Sequence, residues 1–382
     1  MIASSLSIYS PKYPLVLAYM LQCTEYQALP YLRWIWRTED FGSVRQRRQL
    51  DNTRAAKLLA ALLYAGMLCE ILLGVALIYL GTQGDLIGGV PYGLTLILIY
   101  PVLWAHLVVF PLLTARYLII NPSVKRAIRS TTPIYADHPG VKIAVAGSYG
   151  KTTMKELLTT VLSEKLVVAA TPANKNVSSS HAAFAKTLAG TEDVLILEYG
   201  EGEPGDIARF TAHTTPTHAI ITGLAPAHLD KYKTLQAAGE DIFSVTKSII
   251  SEHVYVNTDS PELQSFVKPN YQKFSNSGAL GWKVSKVEIG LHGTSFIMKK
   301  AKQALTLQSG LVGEHQVGFL AFVAALAIEL GLSLKQVEAG ITKTQPFEHR
   351  MQPYLLNGAW IVDDTYNGNL EGIRAGTNLL KN

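Results

Sequence analysis

The sequence predicts an α/β fold, in which a parallel-sheet domain with a P-loop follows a hairpin of two transmembrane helices. Three features of the 382-residue chain predict it. Two apolar runs near the N-terminus are each about as long as a membrane-spanning helix. After residue 141, short β-branched runs alternate with helical patterns. A glycine-rich turn ending in Gly-Lys-Thr-Thr separates the first of these strands from a helix.

The amino-acid composition excludes several classes of protein. The chain is 48% hydrophobic and 16% charged, whereas soluble domains are about 25% charged, and its mean hydropathy is +0.18. These values exclude a disordered chain and argue against a purely soluble one. The two cysteines, Cys23 and Cys69, exclude a disulfide scaffold and a four-cysteine zinc site. The net charge of +5 is modest, and we expect no nucleic-acid partner.

The two apolar runs predict transmembrane helices over about residues 58–80 and 88–113. The first contains one charged residue, Glu70, and the second contains none. A pair of buried core helices is the alternative, but such cores rarely need two runs this long and apolar. We therefore expect residues 1–135 to form a membrane-associated region.

Basic residues flank the predicted hairpin and give its orientation. The connection between the runs carries only Asp85, so the positive-inside rule places both ends in the cytoplasm. The expected location is the cytoplasmic membrane, with two spans and the rest of the chain after them in the cytoplasm. The flanking residues are Arg45, Arg47, Arg48, Arg54 and Lys57 before the first run and Arg116, Lys125, Arg126 and Arg129 after the second.

The strands of the expected central domain, residues 136–345, are short and hydrophobic. Such strands separated by helices indicate a parallel sheet covered on both faces, and its ligands collect beyond the carboxyl ends of the strands. Candidate site residues follow these ends. The predicted strands cover 141–147, 166–170, 193–199 and 217–223, and the first predicted helix covers 152–162.

The strongest motif is AGSYGKTT, residues 146–153. Backbone N–H groups and a helix N-terminus can hold phosphate, the lysine can reach the terminal phosphates of a nucleotide, and a threonine hydroxyl can meet Mg²⁺. A tight turn with a surface lysine is the alternative. The candidate residues are Gly147, Ser148, Gly150, Lys151, Thr152 and Thr153.

Other polar residues follow the later strands. Glu198 is a candidate Mg²⁺ ligand, or else an N-cap or a salt-bridged acid. His228 is either structural or a ligand of metal or phosphate. Asn174 and Asn176 lie in a polar loop that could equally be a turn.

The ordered motifs together resemble the Mur ligase family, most closely its D-alanyl-D-alanine-adding branch. The resemblance covers roughly residue 141 to the end of the chain. The motifs that carry it are GSYGKTT, TPANKN, LEYGEGEPGDI, APAHLDKY, VNTD, GEHQ, HRMQ and DDTYNGN.

The resemblance implies an ATP-dependent amide ligase of peptidoglycan precursor synthesis that uses Mg²⁺. ATP would convert a substrate carboxylate to an acyl phosphate, which an amine then attacks. The implied partners are a nucleotide- or lipid-linked peptidoglycan precursor, an amino acid or dipeptide, and the membrane. The implied catalytic residues are Lys151 and His228, the metal ligands Thr152, Glu198 and His228, and further nucleotide-binding residues Asn174, Asn176, Gln316, Arg350 and Asp364.

Two residues depart from the family pattern. Gly239 stands where the family has a lysine whose carbamate bridges two metals, and Glu240 or Asp241 could replace that carboxylate. Gln316 stands in place of an asparagine that contacts adenine.

The domain pattern departs as well. Membrane helices replace the usual N-terminal domain, and residues 346–382 are expected to begin a truncated C-terminal domain. Either the chain is a fragment of a longer reading frame, which we favour, or it is a genuinely short form. A non-catalytic ATP-binding scaffold of cell-wall synthesis is the alternative function.

Overall fold

The computed structural model describes residues 6–44, 50–51, 53–173, 176–226, 229–365, 373, 376–377 and 379. Within it the chain divides into two compact units, Met1–Ser123 and Val124–Asn382. Each unit is described by itself.

The first unit consists of helices. Two helical segments, Arg54–Gln83 and Gly89–Ala136, are long and apolar enough to cross a membrane by length and composition, and only 28% and 22% of their most apolar windows are buried. The side chain of Thr53 accepts a hydrogen bond from the backbone N–H of Ala56, so the first segment begins earlier than predicted. Its helices are α1 (Tyr13–Cys23), α2 (Ala28–Arg37), α3 (Arg54–Gln83), α4 (Gly89–Leu107), α5 (Val109–Ala115) and a π-helical turn (Arg116–Ile120); the next helix in the chain is α6 (Asn121–Ala136), which has most of its residues in the second unit.

Glycines allow α3 and α4 to pack closely. A Cβ atom on Gly93 would lie 2.3 Å from the carbonyl oxygen of Gly74, and one on Gly74 would lie 2.9 Å from that of Gly93. Small residues at such contacts are typical of helix pairs in membranes.

The second unit is a mixed α/β structure, as the sequence predicts. Its helices are α7 (Lys151–Leu162), α8 (Ser178–Ala185), α9 (Asp206–Thr214), α10 (Leu229–Tyr232), α11 (Leu235–Ile242), α12 (His315–Glu329) and α13 (Leu334–Thr342). Its strands are β1 (Val141–Ala146), β2 (Val168–Ala170), β3 (Val194–Glu198), β4 (His218–Ile221), β5 (Val254–Asn257), β6 (Gln272–Ser275), β7 (Gly278–Ala279), β8 (Trp282–Gly290), β9 (Gly293–Lys300), β10 (Gln303–Ser309), β11 (Gln352–Leu356) and β12 (Ala359–Asp363).

Ten strands form one sheet in the order β10-β9-β8-β7-β6-β5-β4-β1-β3-β2, and β11 and β12 form a separate antiparallel pair. The half from β2 to β6 is parallel, and β6 to β10 are antiparallel. Strand β1 has parallel neighbours on both sides, so the loop that follows it lies between the ends of β3 and β4.

Apolar side chains cover both faces of the sheet. In β1, Ile143 and Val145 join the core that includes residues of α7 and α12, and Ala144 and Ala146 join the core on the other face. This alternation is the two-residue period of a strand buried on both faces.

Candidate functional site

The loop between β1 and α7 needs glycine at two positions. Gly147 has φ +141°, and a Cβ atom there would lie 2.4 Å from the Thr222 hydroxyl oxygen. Gly150 has φ +75°, and its Cβ atom would lie 2.7 Å from the ring of Phe319. A side chain at either position would be strained and would also clash. The loop therefore keeps a backbone path suited to phosphate, with the helix N-terminus at Lys151 directly after it.

Lys151 lies in this loop with its amine over the backbone. The Nζ atom donates a hydrogen bond to the carbonyl oxygen of Gly147. Burial lowers the pKa of Lys151, while the carboxylates of Glu201 and Glu198 act to raise it and Arg350 acts to lower it further. The amine of Lys151 therefore feels the charge of both carboxylates beside the loop, those of Glu201 and Glu198.

Glu198 is the last residue of β3 and is 2% exposed. Its Oε1 atom accepts hydrogen bonds from the hydroxyl of Thr152, at 3.1 Å, and from Nδ2 of Asn176, at 3.3 Å. Its Oε2 atom lies 3.3 Å from Nζ of Lys155. Three residues predicted from separate motifs therefore meet at one carboxylate, together with a lysine that the motifs did not identify.

Lys155 is completely buried. Besides Glu198, its Nζ atom contacts the carbonyl oxygens of Thr171, at 3.0 Å, and Ala173, and it lies 3.3 Å from Oε1 of Glu156. The sequence contains a signal for this burial, because Lys155, Leu158 and Leu162 have the i, i+3, i+7 spacing of one helix face. Through these contacts, Lys155 links its own helix, α7, to the end of β3 and to the loop after β2.

A cavity of about 520 Å³ opens over the phosphate loop, within the usual range for ligand sites. Of the predicted residues, those that line it are Ser148, Gly150, Lys151, Thr152, Asn176, Glu198 and Arg350. The other lining residues are Val124, Tyr149, Val177, Ser178, Ser179, Gly200, Glu201, Gly202, Asp206 and Phe210.

Glu201 is an acidic residue of this cavity to which the sequence analysis assigned no role. It is 7% exposed, and its Oε2 atom accepts a hydrogen bond of 3.1 Å from the hydroxyl of Ser148. Only its place within the quoted motif LEYGEGEPGDI pointed to it.

The remaining predicted residues lie elsewhere. Thr153 is buried, and Gln316 is buried at the start of α12, with its Nε2 atom 2.9 Å from Nε2 of His315. Asp364 accepts a hydrogen bond from the backbone N–H of Met351, beside Arg350. Asn174 and His228 lie outside the described residues.

The structure explains why a lysine does not fit at residue 239. A Cβ atom on Gly239 would lie 2.2 Å from the ring of Phe266. The two acids that could have replaced the family carbamate have other partners. Asp241 accepts hydrogen bonds from the backbone N–H of Gly205 and the hydroxyl of Tyr232, both at 2.8 Å, and Glu240 accepts one from Gln236.

The donors at Glu198 suit a hard cation. Carboxylate and hydroxyl oxygens are the ligands that Mg²⁺ takes, and it is usually held by one or two carboxylates plus substrate phosphates. Oε2 of Glu198 accepts no hydrogen bond from the described residues. The same part of the chain contains no group of three or more histidine, cysteine or acidic side chains that could hold a metal alone. The site thus fits a cation that phosphate helps to bind.

Comparison with known proteins gives consistent matches. Residues 145–327 match the Mur ligase middle domain. The UDP-N-acetylmuramoyl-tripeptide–D-alanyl-D-alanine ligase of Mycobacterium leprae is 28% identical over 256 residues, covering 62% of this chain and 50% of that protein. The enzyme of the same name from Escherichia coli is 26% identical over 249 residues, covering 63% of this chain and 55% of that protein. The chain spans about half the length of the curated relatives that it matches.

Solved structures agree on the fold. MurF from Acinetobacter baumannii superposes with a TM-score of 0.61 at 21% identity, covering 68% of this chain and 58% of that one. MurF from Thermotoga maritima in complex with ADP superposes with a TM-score of 0.59 at 24% identity, covering 68% of this chain and 61% of that one. The resemblance predicted from the motifs is confirmed: residues 145–327 match the Mur ligase middle domain, and the relatives and solved structures named here are ligases of the MurF type.

Proposed function

We propose that this chain carries the ATP site of an amide ligase of peptidoglycan precursor synthesis. One observation carries the proposal: Lys151 of the phosphate loop, Thr152 and Glu198 line a single cavity in a Mur ligase middle domain. The relatives are named for joining D-alanyl-D-alanine to a muramoyl tripeptide. We propose the same substrates here, a muramoyl-peptide carboxylate and a dipeptide amine.

The reaction that we propose has two steps. A carboxylate oxygen attacks the γ-phosphorus of ATP, and ADP leaves as the acyl phosphate forms. The amine then attacks the acyl carbon, loses a proton, and displaces inorganic phosphate as the amide forms. Such chemistry depends on positioning and on stabilising charge as it develops.

The residues of the cavity have distinct parts in this proposal. Loop N–H groups and Lys151 bind the phosphates, and Arg350 reaches the same cavity. Thr152 and Glu198 would hold Mg²⁺, which neutralises phosphate charge when bound. Asn176 keeps Glu198 oriented through its 3.3 Å hydrogen bond.

The test is ATP-dependent amide formation by the full chain in detergent, with phosphate release and product mass as readouts. Lys151→Met removes the charge that meets the phosphates, and we expect a loss of about 100-fold or more. Lys165→Met is the matched control, because Lys165 is exposed and contacts only the Gly331 carbonyl among the described residues. Unchanged turnover in Lys151→Met would contradict the proposal.

A scaffold that binds ATP without ligation is the second candidate. It is favoured by the packing of Gly239 on Phe266, which leaves no space for the family lysine. Tight ATP binding without amide formation from a muramyl tripeptide and D-Ala-D-Ala would support the scaffold.

We further propose that α3 and α4 anchor the protein in the cytoplasmic membrane as a hairpin. The exposed apolar surface of both helices and the close contact of Gly74 with Gly93 support this. A cysteine at Asp85, with Cys23 and Cys69 changed to serine, should react with an impermeant maleimide outside intact cells. A cysteine at Lys125 should react only after lysis, and the reverse pattern would exclude this topology.

An anchor would favour a lipid-linked carboxylate as substrate. Equal rates with soluble and lipid-linked precursors would count against that preference.

A further inference from the structure

We propose that α2 (Ala28–Arg37) lies in the headgroup layer of the membrane and binds anionic phospholipids there. The inference rests on the proposed membrane anchor, and it adds to that anchor a surface that selects lipids by their charge. All of the contacts that support it lie within the first unit.

The helix α2 is fixed to the last turn of α4. The hydroxyl of Tyr31, which is fully buried, donates a hydrogen bond to the carbonyl oxygen of Ala105 at 3.0 Å. The ring of Trp34 packs beside that of Tyr31, with 6.3 Å between the ring centroids. Because α4 ends at Leu107, these contacts place α2 at the end of the hairpin that the proposed topology puts on the cytoplasmic side.

The chain just before α2 is tied to the start of α3. Nε2 of Gln22 donates to the carbonyl oxygen of Asp51 at 3.0 Å, and Oε1 of Gln22 accepts from the N–H of Asp51 at 2.9 Å. Asp51 precedes α3 by three residues. The first helix of a hairpin begins on the side where the second one ends, so both sets of contacts lie at the same end of the hairpin.

The exposed face of α2 combines apolar and cationic side chains. Leu29 is 53% exposed and Trp36 is 65% exposed. Long basic side chains and tryptophan are typical of helices at a membrane interface, where the charged ends reach the headgroups. The face consists of four exposed residues with i, i+4, i+7, i+8 spacing, namely Leu29, Arg33, Trp36 and Arg37.

The hydrogen bond of Trp36 favours lipid over water as the neighbour of this face. Its Nε1 atom, the only polar atom of the side chain, donates to Nε2 of His106 at 3.2 Å. Nδ1 of His106 lies 2.8 Å from the carbonyl oxygen of Val102, so the imidazole can donate there and accept from Trp36. The exposed indole surface can therefore enter the boundary between headgroups and acyl chains without leaving its N–H unpaired.

The two arginines give the face a preference for anionic lipid. Neither Arg33 nor Arg37 forms an ion pair within the described part of the chain. Residues 28–57 contain seven basic and three acidic side chains, and basic residues next to a membrane helix attract anionic headgroups. The same positive charge opposes pairing of this face with a second copy of the chain.

The first measurement is the depth of α2, with the full chain in bilayer discs of phosphatidylcholine and phosphatidylglycerol. A nitroxide is attached at Leu29→Cys after Cys23 and Cys69 are changed to serine, and its collisions with oxygen and with a water-soluble nickel chelate are compared. We expect collisions with oxygen to exceed those with nickel. A label at Leu72→Cys, 59% exposed in α3, is the control for lipid, and one at Lys302→Cys, exposed in the second unit, is the control for water.

The second measurement is lipid selectivity, taken from the fractions of spin-labelled phosphatidylglycerol and phosphatidylcholine that the protein immobilises. Arg33→Gln together with Arg37→Gln removes both guanidinium charges, and we expect the preference for phosphatidylglycerol to fall about fivefold. Lys302→Gln together with Lys335→Gln removes the same charge from exposed positions of the second unit. This control should keep the full preference.

Three results would overturn the inference. The label at Leu29 could meet nickel as often as the label at Lys302, which would place α2 in water. Neither reagent could reach it, which would mean that protein covers the face. The arginine variant could keep the full preference for phosphatidylglycerol. If instead the label at Leu72 meets nickel, the proposed anchor itself fails.

Discussion

Lys155 shows how one side chain organises the phosphate site. Its amine contacts the carboxylate of Glu198 and the carbonyl oxygens of Thr171 and Ala173 from other elements, and the carboxylate of Glu156 from its own helix. Water does not reach this amine, because the side chain is fully buried. An ion pair in such a setting contributes to a unique arrangement, and removing one partner leaves an uncompensated charge.

Lys155→Met should therefore be strongly destabilising. Breaking a buried pair typically costs about 3–5 kcal/mol, and we expect a loss in this range. Lys343→Met is the control, because its pair with Glu164 is exposed and such pairs contribute about 0–1 kcal/mol. Native-state hydrogen exchange of the β1 amides measures both changes in the free energy of unfolding. Equal effects of the two substitutions would show that Lys155 has no special role.

The sequence pointed to cavity residues where a motif fixes the backbone, and it missed those whose position depends on burial. Lys151 was identified because it follows a glycine-rich loop, and Glu198 was identified because it ends a predicted strand; both line the cavity. Lys155 and Glu201 were missed because lysine and glutamate are usually exposed on such elements. Whether a charged side chain points inward depends on partners that come from distant parts of the chain.

At the scale of elements, α11 illustrates a local packing constraint. Gly239 lies in the middle of this helix, where alanine would ordinarily be better by about 1 kcal/mol. The ring of Phe266 takes the place of a side chain, at 2.2 Å from where a Cβ atom would be. Glycine is retained here because of packing and not because of its dihedral angles.

Gly239→Ala should consequently destabilise the second unit despite its higher helix propensity. Overpacking of this kind costs about 1–3 kcal/mol. Phe266→Leu in the same protein should recover most of the loss, because the smaller side chain vacates the space. Thermal unfolding of the two single variants and the double variant measures the coupling. Additive effects would mean that the two residues do not share the contact.

Elements with strong local signals were predicted well. β1, β3 and β4 lie within predicted apolar runs, while β2 is shorter than its run and covers only Val168–Ala170. The region 262–309 reads in the sequence as β-rich and loop-like, with strands predicted at 282–290 and 294–300, and the structure confirms both as β8 and β9 of the antiparallel half of the sheet. Its register depends on turns and on pairing between strands, which periodicity within one strand does not specify.

At the scale of the whole molecule, several buried histidines link stability to pH. His181, His213 and His218 are at most 8% exposed. Burial lowers the pKa of His181 and of His218 to about 4, and burial also lowers the pKa of His213. In the unfolded chain the same groups titrate near about 6.5. The unfolded state therefore binds more protons than the folded state between these two values.

Stability should accordingly be complete above about pH 6.5 and fall as the pH decreases towards 4. Urea unfolding at a series of pH values measures the slope. His218→Phe removes one of the titrating groups and should reduce the slope, whereas His292→Phe, at an exposed position, should not. A stability that does not change between pH 7 and 5 would contradict this expectation.

The strand order of the large sheet has a consequence for storage of the protein. One edge is β2, with three residues, and the other is β10, with seven. An edge strand exposes backbone groups with which another chain can pair, and very short edges offer few of them. Chain-to-chain aggregation by strand addition should therefore start at β10, and concentrated samples will be most vulnerable there.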